Sequence, residues 1–157
     1  MRLPGPAILA SFFYAFSTLG ALACARPNDA AQIVTEVMQW VNAERSARGL
    51  SSLRSSAQLA SAAQAHACDM ARRGYFDHEG KGGPSFSRRV KASGYRVGTA
   101  VENIASSTQH NAQVPQRLWR NSPGHWENVL DPRLRDMGVA VALSGNKLLF
   151  VYVGGAN

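Results

Sequence analysis

His78, Glu102 and His125 are the residues of this chain whose types could do chemistry together. His78 stands in Asp77-His78-Glu79-Gly80 and His125 in Pro123-Gly124-His125, where neighbouring glycines leave side chains free to converge on a cleft. Glu102 lies between them, in an apolar stretch where a lone carboxylate is expensive to bury without a partner. Two imidazoles and a carboxylate can hold zinc or another divalent ion with one position open, or supply an acid and a base. No short metal motif such as H-E-x-x-H joins them, so three separate hydrogen-bonding residues remain the alternative on spacing alone. His66, on a helix face with Ala63 and Met70, reads as a partly buried structural residue, and His110 as an exposed loop residue. Cys68, in an alanine-rich helical stretch, reads as a buried structural thiol rather than a nucleophile. No serine sits in an elbow or triad context.

The elements that must position these residues follow from periodicity and punctuation. Asn28 or Asp29 can cap a first helix running to about Arg48 and ended by Gly49, with Ile33, Val37, Trp40 and Val41 on one face. A second helix is expected from about Ala57 to Arg73, closed by Gly74, its many alanines suiting close packing. A glycine-rich loop follows, and Ser85 opens a short helix through about Lys91. Val97–Ala105 carries Glu102-Asn103-Ile104-Ala105 and receives no element. A helix is expected at about 112–120, where Pro115 is tolerable near the first turn; Ser122-Pro123-Gly124-His125 breaks it and starts another short one through Leu130. Val139, Val141 and Leu143 alternate with small residues, Ser144-Gly145-Asn146 turns the chain, and Lys147–Val153 is a second run of β-formers, a strong hairpin signal. Helices first and an antiparallel hairpin last imply a layered α+β domain.

The N-terminus sets the compartment. Arg2 is the only charged residue among the first 25, and residues 7–23 are apolar or small. Ala23-Cys24-Ala25 then forms a small-x-small site before Arg26-Pro27. This pattern reads as a secretory signal peptide over residues 1–25, leaving one domain at 26–157 in an extracellular or periplasmic space. The membrane span is confined to that peptide. Lipoprotein anchoring at Cys24 ranks lower, because Ala21 stands where that signal usually has Leu. Removing Cys24 with the peptide would leave Cys68 alone and the domain without an intramolecular disulfide. The formal charge is +7, or +6 without Arg2, carried by scattered basic residues. That balance suits weak attraction to anionic polymers or lipid headgroups; with an export signal, nucleic acid ranks low as a partner.

Several segments together carry a family resemblance. Asn42-Ala43-Glu44-Arg45 with Gly49-Leu50, Leu59–Ala67, Met70–His78, Arg89–Tyr95, Glu102–Ala105, Trp119–His125, Asn128–Pro132 and Met137–Ala142 occur in one unbroken order. Over roughly residues 35–154 the chain resembles the bacterial branch of the CAP superfamily, the cysteine-rich secretory, antigen 5 and pathogenesis-related (SCP-like) proteins. The resemblance implies a three-layer α-β-α sandwich with a central antiparallel sheet and a surface cleft. In many members that cleft holds two histidines and two glutamates, sometimes with a divalent metal. His78, Glu102 and His125 match the first histidine, first glutamate and last histidine.

Two departures qualify the match. Val101 stands where members usually carry Gly, and a β-branched residue there disfavours positive φ. No Asp or Glu occurs between Glu102 and Glu127; the helix that could present a second glutamate offers Gln113 and Gln116. Metal should therefore bind more weakly than in a four-residue site, with water completing the coordination and Glu127 facing away. The favoured function is a monomeric, non-enzymatic module binding a lipid, an envelope polymer, a protein or a metal. The alternative is a metal-dependent hydrolase of peptides or envelope polymers, with Glu102 as third ligand or as the base that activates water.

Overall fold

The computed structural model describes residues 24–157. Apart from Cys24 and Ala25, the segment read as a signal peptide lies outside the described residues. The elements run α1 (Ala30–Ser46), β1 (Arg54–Ser55), α2 (Ala57–Arg73), α3 (Phe86–Ala92), β2 (Thr99–Ser107), α4 (Gln113–Arg120), α5 (Pro123–Leu130), β3 (Asp136–Ser144) and β4 (Lys147–Ala156). The sheet order is β1-β3-β4-β2.

Side chains alternate across a strand, and that period sorts the core into two halves. From β3 and β4, Met137, Val139, Val141, Leu148, Phe150 and Tyr152 pack with Ile33, Val37 and Val41 of α1, Trp119 of α4 and Val129 of α5. The intervening Ala140, Ala142, Leu149, Val151 and Val153 pack with Leu59, Ala62, Ala63, Ala67 and Met70 of α2 and Val90 of α3. Both faces of the hairpin are thus buried, as a three-layer α-β-α sandwich requires. The resemblance implied an antiparallel sheet; it is mixed, because short β1 pairs parallel to β3 while β2 and β3 flank β4 antiparallel.

The second helix has the bounds its sequence indicates. Ser56 caps it, accepting a hydrogen bond from the Leu59 amide at 3.3 Å, and Gly74 ends it in the left-handed region at φ 65°. Small residues meet across its contact with the sheet: Ala62, Ala63 and Ala67 on the helix, Gly138, Ala140 and Ala142 on β3. The first helix ends slightly short of Arg48, and Asp29 sits at its N-cap without a side-chain capping bond.

Strand β2 has no counterpart in the sequence reading, because Glu102-Asn103 interrupts its apolar pattern. It lies at the sheet edge, where exposed backbone would invite pairing with another chain. Side chains cover that edge instead: Trp119 Nε1–H donates to the Ile104 carbonyl at 3.1 Å and Asn128 Nδ2–H to that of Glu102 at 3.3 Å. Val101 sits in this strand opposite Gly154, and no non-glycine described residue has positive φ, so the missing glycine leaves no strain there.

The expectation of a solitary Cys68 is corrected. Cys68 is buried on α2, and it is joined by a disulfide to Cys24, 44 positions earlier, with Cα atoms 5.4 Å apart. Cys24 falls within the segment read as a signal peptide, which left Cys68 without a partner; in the structure the chain ahead of α1 reaches α2, where the two cysteines meet.

Candidate functional site

Glu102 is the centre of the candidate site. Strand β2 turns its side chain inward, leaving it 3% exposed beneath α2 and α3. Three cationic or imidazole groups from three places in the chain surround it. Arg89, on α3 and 4% exposed, donates from Nη2 to Oε1 at 3.1 Å and to Oε2 at 3.0 Å. His78, in the loop after α2, donates from Nδ1 to Oε1 at 3.0 Å. His66, fully buried on α2, brings Nε2 to 3.7 Å from Oε1 and within 2.9 Å of the Asp77 carbonyl. A carbonyl can only accept, so His66 Nε2 carries the proton, and its Nδ1 is a buried nitrogen without a protein partner.

Arg89 also fixes the loop that carries His78. Its guanidinium donates to the His78 carbonyl at 2.8 Å and the Pro84 carbonyl at 2.9 Å. His125 comes from α5, which is tied to β2 by two asparagines. Asn103 Nδ2–H donates to the His125 carbonyl at 2.8 Å, and Asn128 Nδ2–H donates to Asn103 Oδ1 at 2.9 Å. The His125 ring then stands 6.3 Å from that of His78. The structure thus joins His78 directly to Glu102 and sets His125 across from His78. Arg89 and His66 are the members of this cluster that sequence reasoning missed: one looked like a scattered basic residue, the other like packing.

The histidines are driven apart in basicity. The Glu102 carboxylate at Nδ1 raises His78 above the ordinary imidazole value of 6.5, with Asp77 adding and burial and Arg89 opposing. Burial lowers His66, partly offset by Glu102, and burial together with the His78 charge lowers His125. A ring-proton NMR titration should therefore show His78 titrating above pH 6.5 and His66 and His125 below it. Because folding raises the His78 value, its contribution to stability is full below the unfolded value and fades as pH rises through the folded one. Neutral His66 contributes in the opposite sense, its share lost as pH falls below 6.5. A His78 that titrates with the other two would mean that the carboxylate does not hold it.

The donors do not fit the three-residue metal set expected from the sequence. Both oxygens of Glu102 accept from Arg89, and Oε1 also from His78, so the carboxylate backs His78 rather than facing the cleft. Among the described residues no group of three or more His, Cys, Asp or Glu side chains could hold a metal ion. Of the expected set, only the two imidazoles of His78 and His125 face each other, their ring centres 6.3 Å apart. Glu127 is exposed, while Gln113 and Gln116 line a separate depression with Trp40, Arg117, Arg120 and Asn121.

The layers and the cluster define a class, that of α-β-α sandwich domains with histidines and a glutamate gathered at the edge strand. Within that class, the chain belongs to the cysteine-rich secretory protein (CAP) family, which it matches over residues 38–154. It is 32% identical over 128 residues to the uncharacterized protein YkwD of Bacillus subtilis (strain 168), covering 82% of this chain and 49% of that one. The chain therefore spans about half the length of the curated relative it matches. An extracellular SCP-domain protein of Bacillus anthracis has a similar structure, with a TM-score of 0.74 and 25% identity, over 82% of this chain and 41% of that one. NaASP2, solved with Zn2+, shares the fold at a TM-score of 0.60 and 12% identity, over 83% of each chain.

Proposed function

We propose that this domain is a non-enzymatic binding module of an extracytoplasmic compartment, taking an anionic lipid headgroup at the His78–His125 edge. The carrying observation is the buried Arg89–Glu102 pair: it neutralises the carboxylate behind His78, so that the His78 and His125 imidazole edges face the cleft, with Asp77 and Glu79 exposed beside His78. Protonation of His78 adds positive charge as pH falls, with Glu102 and Asp77 favouring it and Arg89 and the neighbouring His125 facing it. Phe76, 51% exposed and two residues from His78, supplies an apolar side chain that can enter a lipid surface. Arg72, Arg73, Lys81 and Arg88 are exposed on the adjoining segments. The extracellular relative from Bacillus anthracis and the disulfide both support the compartment.

Vesicle co-sedimentation at pH 6 and pH 8 tests the reading, with anionic or zwitterionic phospholipid. Binding is expected to anionic vesicles only, stronger at pH 6, weakened by salt, and reduced several-fold by either His78→Ala or Phe76→Ser. Equal binding at both pH values, or indifference to both substitutions, would reject it. Retention on an anionic envelope polymer that ignores Phe76→Ser would move the ligand to that polymer.

A divalent ion is the second reading, supported by the two facing imidazoles. Glu102 would then orient His78 from behind, as carboxylates do for metal-bound histidines. Hydrolysis has less support, since the carboxylate that would activate water is held by Arg89.

A further inference from the structure

We propose that this chain is cut after Ala23, so that Cys24 becomes the first residue of the mature protein and is tied to Cys68. Two alternative small-x-small sites overlap in the sequence: Ala21-Leu22-Ala23 and Ala23-Cys24-Ala25. Their residue types do not choose between them, but the fold does. Cutting after Ala25 would discard half of the Cys24–Cys68 disulfide. It would also remove the Ala25 carbonyl, which accepts from the Leu143 amide at 2.8 Å near the end of β3. Cys24 itself packs against the core half formed by α2, α3 and the sheet. Residues 24 and 25 are thus built into the domain by a covalent bond, a backbone hydrogen bond and apolar contact. Cutting two residues earlier preserves all three.

The chemistry is simple to balance. Water is consumed at the Ala23–Cys24 peptide bond, leaving a carboxylate on Ala23 and a free amine on Cys24. The two thiols then lose two electrons and two protons to an extracytoplasmic thiol–disulfide oxidoreductase, whose own disulfide is reduced. The same sulfur is the one that lipoprotein anchoring would use, so a diacylglyceryl thioether at Cys24 and this disulfide exclude each other. The assignment makes the mature protein a released or periplasmic one whose N-terminus is locked down.

The test is the intact mass and N-terminal sequence of the full chain expressed in a secreting bacterium. The isolated protein is alkylated with iodoacetamide before and after reduction. The expected protein begins at Cys24, takes no alkyl group before reduction and takes two after it. A protein beginning at Arg26 with one alkylatable thiol would overturn the proposal, as would one carrying a lipid thioether on Cys24. Cys68→Ser separates cutting from bonding: it should still begin at Cys24 and should expose one thiol. If that variant does not accumulate, the parent's mass and sequence decide the matter alone.

Discussion

Arg89→Ala is expected to destabilise the domain by about 3–5 kcal/mol, because it strands Glu102 as a buried charge without its partner. Both side chains are almost inaccessible, at 4% and 3%, so solvent cannot take over the guanidinium's role. The substitution also frees the His78 and Pro84 carbonyls, which Arg89 ties to α3. Arg89→Lys should recover only part of the loss, since an ammonium cannot reproduce the planar set of donors. The double variant Arg89→Ala/Glu102→Gln should be more stable than Arg89→Ala alone, because it removes the orphaned charge. Urea unfolding followed by circular dichroism reads all three. A loss under about 1 kcal/mol, the scale of an exposed ion pair, would mean that Glu102 is solvated. The proposal of a neutralised carboxylate behind His78 would then fall with it.

Gly138→Ala is expected to cost still more, and to leave the protein insoluble or unfolded. A methyl group at this position of β3 would fall inside the backbone of Leu59 and Ala60 at the start of α2. Neither contact is the tip of a flexible side chain, so relief requires moving the helix away from the sheet. That shift opens the contacts of Ala62, Ala63 and Ala67 with Ala140 and Ala142, and the cost belongs with the exceptional substitutions above about 4 kcal/mol. Gly124→Ala is the control, since a methyl group there meets nothing. Measured by soluble yield and thermal unfolding, the control should resemble the parent. A folded Gly138→Ala of near-parental stability would mean that α2 does not sit so close to β3. The same displacement would disturb His66, which rides on α2.

Local signals were readable where one element carried its own punctuation. Helix α2 has a serine cap, a small-residue face and a closing glycine, all within a single segment. The hairpin β3–β4 shows two runs of β-formers joined by Gly145-Asn146, with Gly145 at φ 58°. The α+β class follows from that order of elements, and the residues of the family pattern are themselves sequence. Strand β2 was not readable, because its polar residues are buried by partners from α3, α4 and α5 that a local pattern cannot name. Its Glu102-Asn103 pair looks like loop until Arg89, Asn128 and His125 are placed around it.

By itself, then, the amino-acid sequence determined the helices with clear ends, the hairpin, the layered class and the three residues proposed to do chemistry. Tertiary structure alone decided their state. It assigned Glu102 to Arg89, made His78 the more basic imidazole, drew buried His66 into the cluster and paired Cys24 with Cys68. The reason is physical. Helix ends and strand periods arise from neighbours a few residues apart. Charge pairing, desolvation and a disulfide depend on groups separated by 13 to 44 residues, whose meeting is set by how α2, α3 and the sheet pack.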